Sequence, residues 1–522
     1  MRQLINWLRT KRTSLAQTNV DETPEWLALK EAMLAHDMVA VYLCLPPWCL
    51  LPGSEFAKLK DLANREKLEG PAISKLEILF EYYAKNLDMA FARAQAHLAQ
   101  YGFDADLHVL SMVSLYQHNQ FEDAHAYHLR PSQAEVLSLN RADYWQTVAV
   151  IRWANNDMVN LERAADRTLD LTPNDEIVLQ LLLGMYIELG AQKKVELVRD
   201  RLAGRRIVQG FAHSLSMLAM GEDELGWGQM EDRYVCGDAW RFFNPELKTH
   251  TRWKGEPLVG KCLLLSAEQG LGDTIQMARY ISMLNALGAQ KVLLEVQPEA
   301  LTLLQHNFPE MPIVERSSTK FPVGIFDCWI GMMSLPLRLK AWGRDIPGRS
   351  GYLRVPPENG QYWKERVDQL SSTRRPRIGL AWSGQPYHRA DRRRSIPFEQ
   401  MMRQVRSLPV SFFALQTHVP QVLPANVINV SEEMITLADT AALIEQMDLV
   451  ITVDTSVVHI AGALGKATWL LLPKRYEWRW GLEGEENDWY DSVKVIRQAE
   501  HANWAAVLQN VFEHRLPAQF NL

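Results

Sequence analysis

Cysteine is scarce in this chain of 522 residues, and positive charge is not in excess. None of the five cysteines has CxxC spacing, so the pattern predicts neither a zinc site nor a disulfide framework and indicates a reducing compartment. They are Cys44, Cys49, Cys236, Cys262 and Cys328. The formal net charge of −6 argues against a large nucleic-acid-binding surface, so we expect no nucleic-acid partner.

Long apolar runs are also missing. Residues 39–52 are apolar, but Pro46 and Pro47 interrupt a stretch that is already too short to cross a bilayer. Residues 1–15 include several basic side chains but lack the apolar run of a signal peptide. We therefore expect a cytoplasmic protein with no transmembrane segment.

The length of the chain exceeds what one hydrophobic core supports. With 47% hydrophobic and 23% charged residues it has the composition of a globular protein. We predict a helical repeat domain over residues 1–240, an α/β domain over 241–372, a second α/β domain over 373–500 and a C-terminal helix over 501–522. Residues 1–74 are predicted only as helical.

Residues 24–236 are rich in alanine, leucine, glutamate and glutamine at helical spacing. Tyr83 and Tyr116 lie 33 residues apart, and so do Trp153 and Tyr186. Each aromatic precedes a polar turn and a second helix with small residues, which is typical of the tetratricopeptide repeat of about 34 residues. An unrelated helical bundle is the alternative. The concave face of such a repeat array usually holds another polypeptide.

The first α/β domain is predicted to begin with a buried strand at 261–266 and a glycine-containing turn that leads into a helix at 274–287. A further strand of this domain is predicted at 324–329. The turn contains Gln269 and Gly272, and Asp273 lies at the helix start. Because the turn is not GxGxxG, a dinucleotide site is poorly supported. Asp273 is either a charge favoured by the helix dipole or a general base at the sheet edge.

The second α/β domain is predicted to begin with a strand at 377–382, followed by a loop with four arginines. Charge runs are usually solvated. This run follows a strand end, however, where guanidinium groups suit the oxygens of a diphosphate. We also predict that Gln416, at the end of the strand 411–416, hydrogen-bonds a base or ribose.

The stretch 448–473 predicts two buried strands, 449–453 and 468–472, around a helix at 457–464. Their unbroken apolar character is typical of a parallel sheet covered on both faces, in which ligands bind at the carboxyl ends of the strands. The turn Asp454-Thr455-Ser456 lies at that edge and caps the helix, whose start favours a phosphate. His459 follows one turn later. The alternative interpretation of the same residues is a capping turn followed by a buried histidine, with no ligand bound.

Two α/β domains that face a cleft form the GT-B arrangement. The region 226–498 resembles bacterial tetratricopeptide-repeat glycosyltransferases whose catalytic part is similar to glycosyltransferase family nine, the heptosyltransferase-like enzymes. The fold class implied is α + α/β, with helical repeats followed by a GT-B fold of two Rossmann-like domains. The matching segments are 268–276, 379–384, 391–395, 454–459, 478–480 and 489–490.

The resemblance implies that Asp273 is the general base and that Asp454, Thr455 and His459 hold the sugar and diphosphate of the donor. Heptosyltransferases place a lysine after the first strand of the second domain, where this chain has arginines, so the donor identity does not transfer. The predicted donor-binding residues are Gln269, Gly272, Ser383, Arg392, Arg393, Arg394, Gln416, Asp454, Thr455, Ser456 and His459.

The predicted function is inverting transfer of a sugar from a nucleotide-diphosphate donor to a hydroxyl group. The absence of a convincing DxD signature predicts independence of metal, and no cofactor is expected. Repeats fused to a GT-B part resemble protein O-GlcNAc transferases, which favours a protein acceptor such as flagellin or another surface protein. The alternatives are a transferase acting on lipopolysaccharide or another glycan, and a scaffold without catalysis.

Overall fold

The computed structural model divides into two compact units, residues 1–208 and 209–522. The predictions for residues 1–69 lie outside the described residues. The structure describes residues 70–83, 86–118, 120–130, 140–203, 211–235, 239–316, 325–371, 376–385, 391–419, 422–474, 477–501 and 503–522.

The first unit is helical over its described residues, and consecutive helices pack against each other. Tyr83 ends its helix, while Tyr116 and Trp153 stand next to last in theirs. Buried alanines such as Ala90 and Ala94 allow close packing of neighbouring helices. Helical pairs are confirmed, while their identity as tetratricopeptide repeats stays a prediction. The helices are Pro71–Tyr83, Leu87–Tyr101, Ala105–Gln117, Phe121–His128, Ala142–Ala154, Met158–Leu171, Glu176–Leu189 and Gln192–Leu202.

The first sheet of the second unit is parallel, with strand order β3-β2-β1-β4. Its strands are β1 Cys262–Ser266, β2 Lys291–Val296, β3 Ile313–Glu315 and β4 Cys328–Gly331. The α-helices of this part are Phe211–Ala219, Asp223–Met230, Leu271–Ala278, Ile281–Leu284, Leu301–Asn307, Leu335–Leu339 and Pro357–Leu370. Short 3₁₀ turns occupy Glu231–Tyr234, Ala239–Phe242, Pro245–Thr249, Asn285–Leu287, Pro298–Ala300, Met332–Ser334 and Gly343–Asp345.

The second sheet is also parallel, with order β10-β9-β8-β5-β6-β7. Read from β7, this is the 3-2-1-4-5-6 order of the Rossmann fold, with its switch point between β5 and β8. The strands are β5 Arg377–Ala381, β6 Ser411–Ala414, β7 Val427–Asn429, β8 Leu449–Val453, β9 Thr468–Leu472 and β10 Val493–Arg497. The helices are Asp391–Arg394, Phe398–Val405, Leu437–Glu445, Ser456–Ala463, the 3₁₀ turn Trp478–Trp480, Trp504–Gln509, the π segment Asn510–Arg515 and Leu516–Phe520.

Three predicted elements differ from those observed by more than a shift of one or two residues at an end. Of the described residues in and beside the strand predicted at 324–329, Cys328–Gly331 form the strand, because they pair with β1. The helix predicted at 274–287 begins earlier and breaks after Ala278, where Tyr280 N–H bonds to the Met277 carbonyl at 3.1 Å, three residues back. The C-terminal helix predicted within 501–522 is interrupted by a π segment at Asn510–Arg515. The strands β3, β7 and β10 were not predicted.

The predicted burial of the central strands is confirmed. Every residue of β8 is buried, and so is every residue of β9 except the half-buried Trp469, as expected for strands covered on both faces. Trp227 packs edge-on against Trp478 and Trp489, with ring centroids 5.4 and 6.4 Å apart. The segment before β1 thus packs on the α/β part, and the boundary predicted at residue 240 falls inside the second unit. Among the described residues, no helix is long and apolar enough to cross a membrane.

Candidate active site

The turn after β8 caps the helix Ser456–Ala463, here called the His459 helix. Thr455 Oγ1 accepts a hydrogen bond from the Val457 N–H at 3.4 Å. Asp454 Oδ1 accepts one from the indole Nε1–H of Trp480 at 3.1 Å. The free N–H groups of the helix start therefore lie at the carboxyl edge of the second sheet, where a helix N-terminus favours an anion.

The turn after β1 leads into the helix Leu271–Ala278, here called the Asp273 helix. Gln269 has a positive φ of 60°, rare for a residue with a side chain, and marks a tightly shaped turn. The Gly270 N–H donates to Asp273 Oδ2 at 2.9 Å, so the carboxylate caps its own helix. Asp273 nevertheless remains partly exposed, with 15% of its side chain accessible.

The two helices meet at Gly272. A Cβ atom at this position would lie 2.8 Å from Cδ2 of His459 and 3.4 Å from Cα of Ser456. Only a glycine permits this close approach without movement of the neighbours. The carboxyl edges of the two sheets are thus brought together, and Asp273 and His459 belong to helices of one interface.

His459 is buried, with 4% of its surface exposed. Its Nδ1 lies 3.0 Å from the Tyr490 hydroxyl, and its ring stacks on Trp480 with centroids 5.5 Å apart. Burial, together with the charges of Arg479 and Arg279, lowers the pKa of His459 well below 6.5. His459 is therefore neutral at physiological pH and acts as a hydrogen-bonding group, not as a cation.

Arg394 connects the loop after β5 to the turn after β8. Its Nη1 donates to the Asp454 carbonyl at 2.7 Å, and its Nε lies 3.3 Å from Asp391 Oδ1. The structure thus gives Arg394 a positioning contact in the predicted donor site. Arg393 is half-buried in the same short helix. The side chain of Arg392 and the loop residues 386–390 lie outside the described residues.

Gln416 bridges the ends of β5 and β6. Its Oε1 accepts from the N–H groups of Trp382 and Ser383 at 3.0 and 3.2 Å, and its Nε2 donates to Ser383 Oγ at 2.9 Å. These bonds fix the turn after β5. A contact of Gln416 or Ser383 with the donor stays a prediction.

Arg479 is the residue of this site whose role the sequence did not predict. It lies in the segment Glu477-Trp478-Arg479-Trp480, called segment 477–480 below. Its guanidinium forms an ion pair with Asp273, donates to Gln276 Oε1 at 2.9 Å and pairs with Glu477. The match of residues 478–480 in the family resemblance was the signal that pointed to it.

Glu268 is the first residue of the matching segment 268–276. It forms a buried ion pair with Arg233. The Arg233 guanidinium donates to it from Nε at 2.9 Å and from Nη2 at 2.7 Å. Both residues are 1% exposed. The pair attaches the segment before β1 to the turn that carries Asp273. Arg233 was missed because no local pattern indicates a partner 35 residues away.

Comparison with known families matches residues 415–472 to glycosyltransferase family 9 (heptosyltransferase). These residues run from the end of β6 to β9 and include Asp454, Thr455, Ser456 and His459. In the part of the chain that the structure describes, no group of three or more His, Cys, Asp or Glu side chains is placed to hold a metal ion.

Protein FlbA of Caulobacter vibrioides is 25% identical over 330 residues, which cover 58% of this chain and 54% of FlbA. The chain thus spans about half the length of this curated relative.

Two solved structures are weakly similar. The ADP-heptose LPS heptosyltransferase II of E. coli is 14% identical with a TM-score of 0.36 and covers 50% of this chain and 99% of its own. An O-GlcNAc transferase mutant of Thermobaculum terrenum is 11% identical with a TM-score of 0.31 and covers 78% of this chain and 84% of its own. The chain combines an N-terminal helical unit with an α/β part of two parallel sheets, in which residues 415–472 match the glycosyltransferase family 9 model.

Proposed function

We propose that this protein is an inverting, metal-independent glycosyltransferase that moves a sugar from a nucleotide-diphosphate donor to a hydroxyl group, on a protein acceptor. The observation that carries the proposal is the contact at Gly272, where the Asp273 helix packs directly on the His459 helix. A carboxylate and an anion-favouring helix start thereby lie on two helices in direct contact.

In this proposal Asp273 takes the proton from the acceptor hydroxyl as that oxygen attacks the anomeric carbon of the donor. Each of its oxygens already accepts one hydrogen bond, from Arg479 and from the Gly270 N–H. A carboxylate accepts about four, so the acceptor hydroxyl can still bind. The bond from the anomeric carbon to the diphosphate breaks, and the start of the His459 helix stabilises the leaving diphosphate.

The substitution Asp273→Asn tests the base. Turnover is expected to fall about a hundredfold or more, because the amide cannot take the proton. Asp439→Asn is a matched control, since Asp439 also caps its own helix, accepting from the Thr436 N–H at 2.9 Å. Equal turnover of Asp273→Asn and wild type would rule out this role.

The donor can be found by a thermal-shift screen of UDP, ADP, GDP and CMP derivatives. A ligand at a hundred times its Kd stabilises the protein by about 2.7 kcal/mol, and only the true donor class is expected to do so. The stereochemistry of the product, read by NMR at the anomeric carbon, then tests inversion. Activity that persists after EDTA treatment supports metal independence.

The helical unit supports the proposal that the acceptor is a protein, because stacked helical pairs form surfaces that hold polypeptides. Intact-mass analysis of flagellin coexpressed with this protein is the test. A mass increase of whole sugar units, absent with Asp273→Asn, is expected. Labelling of lipopolysaccharide with no change in flagellin or other surface proteins would favour a glycan acceptor.

A further inference from the structure

Arg479 contacts both α/β domains through separate nitrogens of one guanidinium. Its Nη2 pairs with Asp273 Oδ1 and its Nε donates to Gln276 Oε1 at 2.9 Å, both on the Asp273 helix. Its Nη1 pairs with Glu477 on its own segment. The guanidinium also lies over the Trp478 ring, 4.1 Å from the centroid. A planar group held at three nitrogens and one face has a fixed orientation.

The two contacts on the Asp273 helix lie one turn apart, because Asp273 and Gln276 are three residues apart in the helix. Gln276 is completely buried, and the Arg479 side chain is 11% exposed. The guanidinium therefore fixes the direction of the helix as well as the Asp273 carboxylate, whose other oxygen is bonded to Gly270 N–H.

Segment 477–480 also contacts the turn after β8 and the His459 helix. The residue after Arg479 is Trp480, which donates to Asp454 at 3.1 Å and stacks on His459. Two successive side chains thus bind the proposed base on one side and the diphosphate turn on the other.

We infer that Arg479 is a positioning residue for the transfer, holding the Asp273 carboxylate at a set distance from the donor turn through its paired contacts with Asp273 and Gln276. The inference rests on the proposed function. In this inference Arg479 acts through Asp273, and each of its three nitrogens donates to a protein group. Misplacement of a catalytic group by about 1 Å can cost about a hundredfold in rate.

The test compares Arg479→Ala and Arg479→Lys with wild type, using the nucleotide sugar found in the donor screen. Both variants are expected to lose about tenfold to a hundredfold in kcat, with the donor KM within about threefold of wild type. Lysine keeps the charge but has no planar fork to bond both Asp273 and Gln276. Arg366→Ala, which removes an arginine paired with Glu433, is the control and should retain wild-type kcat.

A different pattern would overturn the inference. If the donor KM rises while kcat stays near wild type, or if lysine restores full activity, Arg479 binds the diphosphate as a simple charge. If Arg479→Ala does not fold, Gln276→Met removes one contact at similar volume. A several-fold loss of kcat with unchanged donor KM then supports the inference, and unchanged kcat overturns it.

Hydrogen exchange separates this inference from the proposed function. If wild type turns over none of the donors, the proposed function fails, yet the contact can still be tested. Faster exchange in peptides of the Asp273 helix in Arg479→Ala, with no change in Arg366→Ala, supports the positioning role. Equal exchange in all three proteins overturns it.

Discussion

The indole Nε1–H of Trp480 donates a hydrogen bond to Oδ1 of Asp454 over 3.1 Å. The same ring stacks on His459 with centroids 5.5 Å apart and 25° between the planes. Trp480 thus binds two of the predicted donor residues at once. It connects the loop after β9 to the turn after β8, and the geometry of that turn depends on it.

Trp480→Phe should weaken donor binding. Phenylalanine keeps an aromatic ring beside His459 but leaves Asp454 Oδ1 without its indole donor, so the turn loosens. We expect the donor KM to rise about fivefold to tenfold, and the free energy of unfolding to fall by about 1 kcal/mol or more. Steady-state kinetics and urea unfolding measure the two effects.

Trp363→Phe is the matched control for Trp480→Phe. Trp363 is also fully buried and also has an indole N–H directed at an aspartate, Asp439, at 3.4 Å. A similar loss of stability with unchanged donor KM is expected. An equal rise of KM in both variants would show that the effect is general destabilisation.

Gly272→Ala should push the Asp273 helix and the His459 helix apart. The new methyl group would lie 2.8 Å from His459 Cδ2, closer than van der Waals contact allows. The strain is expected to cost about 1–3 kcal/mol of stability and to reduce turnover, because Asp273 moves away from the donor turn. Thermal unfolding and kcat are the measurements.

Gly228→Ala provides the comparison. Gly228 is an exposed helical glycine, and no atom lies within 4 Å of the position that a Cβ would take, so a methyl group meets open space. This variant should be neutral or more stable by about 0.5–1 kcal/mol, as alanine favours helix. If Gly272→Ala behaves like Gly228→Ala, the two helices are not in tight contact.

The sequence predicted the elements whose pattern is local. The strands β8 and β9 match their predicted bounds, because unbroken apolar runs between polar turns leave little choice of register. The contact of Arg479 with Asp273 joins residues 206 apart in the chain, and no local pattern encodes it. Gln416 shows the same limit: its position at a strand end was predicted, but not that Trp382 and Ser383 engage it.

Arg233→Met should destabilise the second unit strongly. The substitution leaves the Glu268 carboxylate buried without its arginine partner, which costs about 3–5 kcal/mol. Urea unfolding measures the loss. Combining Arg233→Met with Glu268→Leu removes both charges. The double variant should regain at least about half of the stability that Arg233→Met loses.

Arg366→Met is the control for the buried pair. Arg366 binds Glu433 through two bonds of 2.8 Å, but its side chain is 34% exposed. Its loss should change the free energy of unfolding far less than Arg233→Met does, because solvent screens an exposed ion pair. Similar losses at Arg233 and Arg366 would mean that the Arg233–Glu268 pair is hydrated.

Acidification should destabilise the helical unit through His128. Burial, with contributions from Arg152, His125 and His108, lowers the pKa of His128 from 6.5 to about 4. The folded state therefore holds His128 neutral, and the unfolded chain binds more protons below pH 6.5. Stability is full above about pH 6.5 and decreases as the pH falls towards 4, by up to about 3 kcal/mol.

Hydrogen exchange in the helix Phe121–His128 at several pH values measures this effect, corrected for the intrinsic pH dependence of exchange. His128→Gln should flatten the decrease in opening free energy between pH 6.5 and pH 4, because glutamine does not titrate. His306→Gln, at an exposed histidine of the second unit, should leave the decrease as in wild type. An unchanged pH dependence in His128→Gln would assign the acid sensitivity of this helix to other groups.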